Sequence, residues 1–158
     1  MIRRATKDDI GRIAEILVFA KRKAYRPIFH NDYVSFNEIT VLNVAKEFSQ
    51  EGMLDNVFVY ETDKIVKGLA TYEADGNKLN FKELYVDPFF QNSVVGTRLA
   101  FYMLKFAKEQ GFKGLYCWVL EENAYARRLY EKGGLVYKGE KKEFANTGQY
   151  LCKYEKDL

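Results

Sequence analysis

Two hydrophobic periods alternate along the chain, and each switch between them marks an element. Ile2 to Ala5 carries the pattern of a short strand. Thr6-Lys7-Asp8-Asp9 has the form of a capping box, with an N-cap threonine and an acid three residues later. Ile10, Ile13, Leu17 and Ala20 recur at helical spacing, predicting a first helix to about Lys23, with Pro27 ending any helix before it. Tyr25 to Tyr33 reads as a polar-aromatic connection. Ser35 with Glu38 is placed to cap a second helix, with Ile39, Leu42, Ala45 and Phe48 as its buried stripe and Gly52 as its stop.

The period then falls to two. Asn56 to Glu61, Ile65 to Ala74 and Leu79 to Val86 read as an antiparallel meander, turned at Thr62-Asp63-Lys64 and at Asp75-Gly76-Asn77, the strongest hairpin signal present. A third helix spans about Val95 to Lys108, with Leu99, Met103, Phe106 and Ala107 on its core face and Gly111 beyond its end. Leu115 to Leu120 is a strand. Ala124 to Lys132 is a short helix capped by Asn123 and stopped at Gly133-Gly134. Val136 to Phe144 and Gln149 to Lys156 close the chain as a hairpin around Asn146-Thr147-Gly148. The order β-α-α-β-β-β-α-β-α-β-β defines an α/β (α+β) fold: a mixed, mostly antiparallel sheet of about seven strands flanked by about four helices.

Composition narrows the function. A chain of 158 residues, 47% hydrophobic and 16% aromatic, suits one ordered domain over residues 1–158. A net charge of +3 against 47 charged residues (25 basic and 22 acidic) gives no reason to expect nucleic acid. No apolar run has the length of a membrane span, and no secretory leader is visible after Met1. Cys117 and Cys152 match no metal spacing and read as free thiols in a reducing, cytoplasmic setting. One histidine, His30, argues against a multi-histidine zinc site or a Ser-His-Asp triad, so no metal is expected. The exposed aromatics of so aromatic a chain leave room for a homodimer.

The stretch from Glu83 to Gly134 carries the chemistry. A strand ends at Val86, a Pro88 turn and a loop from Gln91 to Gly96 follow, and a helix opens directly behind them. Such a loop leaves first-turn amides without backbone partners, a setting that favours phosphate. Tyr130, seven residues beyond Asn123, supplies a weak acid close to the next strand. Phosphate cradle plus weak acid suggests acyl transfer from a phosphate-bearing carrier.

The residues that fill these positions resemble the GNAT superfamily, the Gcn5-related N-acetyltransferases. The family's Y-V-x-P followed by Q/R-x-x-G-x-G/A reads here Tyr85-Val86-Asp87-Pro88, then Gln91-Asn92-Ser93-Val94-Val95-Gly96. Its later N-x-x-A-x-x-F/L-Y-x-x-x-G-F is filled by Asn123, Ala126, Leu129, Tyr130, Gly134 and Leu135. One position departs: Val94 stands where the family has its first glycine. A valine there still donates its N–H provided its dihedrals stay helical and its side chain points away from the ligand.

The resemblance implies acetyl-coenzyme A as co-substrate and a primary amine, in a small molecule or at a peptide N-terminus, as acceptor. It places the pyrophosphate on amides of Gln91, Asn92, Ser93, Val94, Val95, Gly96 and Thr97, and the pantetheine arm along Leu84, Tyr85 and Val86 with Asn123. For this the fourth strand must splay from the fifth. Tyr130 is the implied general acid for the departing thiolate. Glu83, on the same strand face as Tyr85, is either the base or a surface charge paired with Lys82. Tyr25, Phe29, Asp32 and Tyr33 are the candidate acceptor residues, joined by the Phe144–Tyr150 hairpin turn. The alternative is a non-catalytic acyl-CoA-binding sensor or scaffold, which the valine favours and Asn123 with Tyr130 disfavours.

Overall fold

The computed structural model describes residues 1–91 and 93–158, so the expectation for Asn92 lies outside the described residues. Seven strands form one sheet in the order β1-β2-β3-β4-β5-β7-β6. They are β1 (Ile2–Arg4), β2 (Val57–Thr62), β3 (Ile65–Asp75), β4 (Lys78–Val86), β5 (Gly114–Leu120), β6 (Val136–Glu143) and β7 (Tyr150–Asp157). Among the described residues four α-helices flank it: α1 (Ile10–Phe29), α2 (Val41–Phe48), α3 (Val95–Glu109) and α4 (Ala124–Lys132). All strand pairs are antiparallel except β4 with β5. Among the described residues, no helix is long and apolar enough to cross a membrane.

Alternation along the strands divides the core in two. α1 and α2 cover one face, where Ile13, Leu17, Val44 and Phe48 meet Val57, Val59 and Leu69. α3 and α4 cover the other, where Leu99, Met103 and Leu129 meet Phe58, Leu79, Phe81, Leu115 and Cys117. Burying the stripes of these helices is the main stabilising contribution. Gly68 lets α3 lie close to β3: a Cβ there would sit 2.8 Å from Val95 Cγ1 and 3.0 Å from the Tyr85 carbonyl oxygen.

The N-terminal cap forms as expected, with additions. The Asp9 carboxylate accepts from the Thr6 amide at 2.8 Å and also grips Arg3 through two bonds of 2.8 and 2.9 Å. A 3-10 turn at Lys7–Asp9 precedes α1 proper.

The α1–α2 region departs from the sequence reading. α1 runs through Pro27 to Phe29, so Tyr25 to Phe29 is helix, not connection. Pro27 sits in the last turn, where it removes one intrahelical bond, and His30 at φ 51° then closes the helix with its amide on the Arg26 carbonyl. Tertiary anchors hold this extra turn: Tyr25 reaches β4, and Arg26 pairs with Asp32. Ser35 and Glu38 do not cap α2. They lie in a wide turn, Val34–Glu38; the carbonyls of Ser35 and of Ile39, the residue just beyond it, accept from Arg22 at 2.8 and 3.2 Å. Thr40 is the real N-cap, accepting from the Asn43 amide at 3.2 Å. Phe48 of the expected stripe is buried, but Leu42 is 63% exposed and Val44 is buried in its place.

β4 is shaped by a bulge. Thr71 pairs with Glu83, but Tyr72 pairs with Phe81, leaving Lys82 as the extra residue. Parity therefore reverses. Leu79 and Phe81 face α3 before the bulge, Leu84 and Val86 face it afterwards, and Tyr85 turns toward α1. β4 meets β5 only from Lys78 to Asn80, opposite Gly114 to Tyr116, and the two strands then part.

Candidate active site

The parting of β4 and β5 opens a cleft of about 220 Å3, bounded by Leu84, Tyr85 and Val86 on β4 and by Asn123, Ala126 and Tyr130 at α4. α1 contributes Ala20, Lys23 and Ala24 to its wall. Beyond Asn80 the β4 edge has lost its β5 partner, so backbone groups on that edge open into the cleft. The Gln91 side chain enters too, donating its amide to the Val86 carbonyl at 3.2 Å.

Tyr130 is buried against Phe81, ring centres 5.7 Å apart and nearly perpendicular. Its hydroxyl makes no hydrogen bond among the described residues. Burial holds the phenol well above its ordinary value, and the neighbouring Cys117, Tyr25 and Glu83 push in the same direction. Burial likewise raises Tyr85, helped by Tyr25, whose hydroxyl is 2.7 Å from its own. Both phenols keep their protons throughout the neutral range. Cys117 is buried and its thiol is raised by that burial, so it is a packing residue and not a nucleophile.

Glu83 leans toward α1, and its carboxylate lies 3.1 Å from the Lys21 ammonium. The pairing with Lys82 expected from adjacency does not occur; Lys82 reaches Glu73 at 3.2 Å instead. The bulge explains the exchange, since it throws Lys82 outward while Glu83 stays on the α1 side.

At the other end of the cleft, α3 begins at Val95. Val94 has helical dihedrals (φ −74°, ψ −6°), and its side chain is 54% exposed. The dihedrals meet the first condition under which a valine can donate its amide to a ligand. The Ser93 hydroxyl donates to the Phe90 carbonyl and accepts a long bond from the Val95 amide at 3.4 Å, which fixes the loop, while the Gly96 and Thr97 amides lie in the first turn, where intrahelical partners are lacking. Gly96 faces the sheet near Val86, Leu84 and Leu129. A groove continues from here between α3 and α4, lined by Ser93, Thr97, Tyr125, Arg128 and Lys132.

Arg128 and Lys132 were not singled out from sequence, although their four-residue spacing on α4 was the available signal. Arg98, the more obvious cation, turns away and donates to the Tyr60 hydroxyl at 2.8 Å. Asn123 caps α4 by accepting from the Ala126 amide at 3.2 Å while still lining the cleft.

The four acceptor residues divide. Tyr25 and Phe29 stack edge-on at 5.8 Å near the end of α1; they do not line the cleft themselves, but the Tyr25 hydroxyl meets that of the cleft residue Tyr85, and Phe29 reaches Phe144 of the β6–β7 turn at 5.5 Å. Asp32 is engaged by Arg26 at 2.7 Å, and Tyr33 stands 69% exposed outside the residues lining the cleft. Their separation follows from the extra helical turn, which carries Asp32 and Tyr33 past the site.

A split sheet with a helix start at one end of the cleft and a buried phenol beside it defines the architecture of an acyl-transfer domain. The model of the acetyltransferase (GNAT) family matches residues 13–135, and the chain belongs to that family. Solved structures share the fold over the whole chain. The ribosomal-protein-alanine N-acetyltransferase of Brucella melitensis superposes with a TM-score of 0.77 at 20% identity, covering 100% of this chain and 99% of its own. The paia N-acetyltransferase of Thermoplasma acidophilum, solved in complex with coenzyme A, gives 0.76 at 18%, covering 100% and 98%. The yncA protein of Salmonella typhimurium, with its cofactor acetyl-CoA, gives 0.75 at 22%, covering 100% and 93%. Comparison with curated protein sequences gives no match.

Proposed function

We propose that this protein is an acetyl-CoA-dependent N-acetyltransferase that transfers its acetyl group directly to a primary amine. The observation that carries the reading is the parting of β4 from β5 after the Asn80–Tyr116 pair, with Tyr130 lining the cleft that results. The amides of Ser93 to Thr97 and the positive end of α3 favour the pyrophosphate. Arg128 and Lys132 stand beside them as phosphate partners. The pantetheine arm, an extended chain with two amides, adds to the free β4 edge at Leu84 to Val86 as a further strand would.

With the thioester in the cleft, the amine lone pair attacks the carbonyl carbon. The C–N bond forms, the C–S bond breaks, and the leaving thiolate takes the Tyr130 proton. Tyr130 suits this role because it remains protonated in the resting site. The proton shed by the amine passes to Glu83, directly or through water, with Lys21 holding the carboxylate in place. The acceptor enters from the α1 side, past Tyr25 and Phe29.

Calorimetric titration with coenzyme A, followed by thiol release from acetyl-CoA in the presence of primary amines, tests the reading. Saturable coenzyme A binding and amine-dependent thiol release are expected. Absence of coenzyme A binding would sink it; binding without release for any amine would turn the domain into a sensor.

A further inference from the structure

We infer that the acceptor is an amine carrying its own carboxylate, an α-amino acid being the simplest form, and that Lys142 receives that carboxylate. The inference rests on the acetyltransferase reading above and concerns the half of the sheet that α1 and α2 leave uncovered.

Register locates the place. The last β4–β5 pair is Asn80 with Tyr116. Two steps further along β5 is Trp118. Two steps along β4, passing over the bulged Lys82, is Glu83. Trp118 and Glu83 thus stand on either side of the opening, and both belong to the α1 face. Trp118 pairs with Lys153 on β7, and Lys142 of β6 pairs with Leu151 beside it. The Lys142 ammonium comes to rest 4.0 Å from the centre of the Trp118 ring.

Charge bookkeeping around this opening is uneven. Glu83 holds Lys21 at 3.1 Å, Glu121 holds Lys141 at 2.8 Å, and Glu140 holds Lys153 at 3.3 Å. Glu143 accepts the Gly148 amide at 3.1 Å, and Asp32 is taken by Arg26. Lys142 has no carboxylate partner among the described residues; it rests on an aromatic face alone. A ring holds an exposed ammonium only weakly, so an incoming carboxylate finds a cation already positioned and not committed to another anion. The same lysine repels a second ammonium. It therefore selects against polyamines, whereas the amine of an amino acid, a few bonds from its carboxylate, is brought toward Glu83.

A competing feature lies on the far side of Glu83: a hollow of about 400 Å3 under α2, bordered by Glu47 and by the paired Glu73 and Lys82. Its single uncommitted acid would favour a dicationic acceptor, so the two sides of Glu83 make opposite demands and can be told apart.

Trp118 is the only tryptophan in the chain and reports on the site directly. Coenzyme A-loaded protein is titrated with several α-amino acids and with the amine each becomes on losing its carboxylate (leucine against 3-methylbutylamine, alanine against ethylamine, phenylalanine against phenethylamine), and with 1,4-diaminobutane. Trp118 fluorescence gives affinity, and thiol release from acetyl-CoA gives kcat/KM. At least one amino acid is expected to exceed its matched amine by about tenfold in kcat/KM with a change in Trp118 emission, as a charge-assisted contact would give. Lys142→Met is expected to erase that preference by raising KM for the amino acid alone. The inference is overturned if every matched amine, or the diamine, is used as well or better, or if Lys142→Met retains the preference. Those outcomes with coenzyme A still bound leave the acetyltransferase reading standing; loss of coenzyme A binding to the unsubstituted protein removes both.

Discussion

Tyr130 shows how one side chain acquires a role from its surroundings. Exposed, a phenol has a value near 10; buried here, it is held well above that. Its acidic form therefore persists on the alkaline side, and loss of the proton donor is displaced upward. The pH–rate profile should rise as the acceptor amine loses its proton, with no falling limb up to about pH 10. A basic limb below that would exclude Tyr130 as the acid. Tyr130→Phe should lower kcat by about 10²–10⁴-fold with little change in coenzyme A affinity. The phenylalanine variant keeps the ring that packs against Phe81 and loses a hydroxyl that has no hydrogen-bond partner among the described residues, so it should keep its fold. Tyr130 was legible in sequence from its offset to Asn123. The Tyr25–Tyr85 hydroxyl contact was not, because the two residues, sixty positions apart, meet only in the folded chain.

Among the elements, the junction of β3, β4 and α3 governs the site. The bulge at Lys82 reverses the facing of β4, and the short pairing with β5 opens the cleft. Gly68 governs how closely α3 approaches. Gly68→Ala would place a Cβ within 3.0 Å of backbone at Tyr85 and of Val95, the first residue of α3. We expect a loss of about 1–3 kcal/mol, visible in thermal unfolding as a fall of several degrees in Tm, together with weaker coenzyme A binding. Gly96→Ala is the contrast: its added Cβ meets Val86, Leu129 and Leu84 at 3.5–3.7 Å, ordinary contact distances, and should leave Tm unchanged or slightly raised. Equal losses in both variants would refute the special role of Gly68. The hairpins were visible from Thr62-Asp63-Lys64 and Asp75-Gly76-Asn77 because φ > 0 there is a local demand. The bulge was not visible, because the ambiguous run Phe81-Lys82-Glu83-Leu84 fits either parity until β3 selects one.

The whole molecule should be stable between two titrating limits. Asp9, held below its ordinary 3.8 by the Arg3 hydrogen bonds, contributes stability above that value and loses it as pH falls through the lowered one. Tyr85 and Tyr130, held above 10.0 by burial, contribute fully below that value and lose it as pH rises through the raised ones. Urea unfolding should therefore show a plateau from about pH 5 to about pH 9, with decline on both sides. Tyr85→Phe should soften the alkaline decline, and Asp9→Asn the acid one. A stability curve with no alkaline decline would contradict the assigned burial of the two phenols.

Local patterning was enough to determine the strands, most helix limits, the order of elements and the family motifs from Tyr85 to Leu135. Each of those depends on periodicity, caps or turn residues within a few positions, and that information is carried by neighbours in the chain. Tertiary packing decided the rest: that α1 continues through Pro27, that Glu83 meets Lys21, that Val94 stands exposed and that Lys142 is left resting on Trp118. These outcomes compare contacts between segments tens of residues apart. Their free energies exist only once the sheet has brought those segments together.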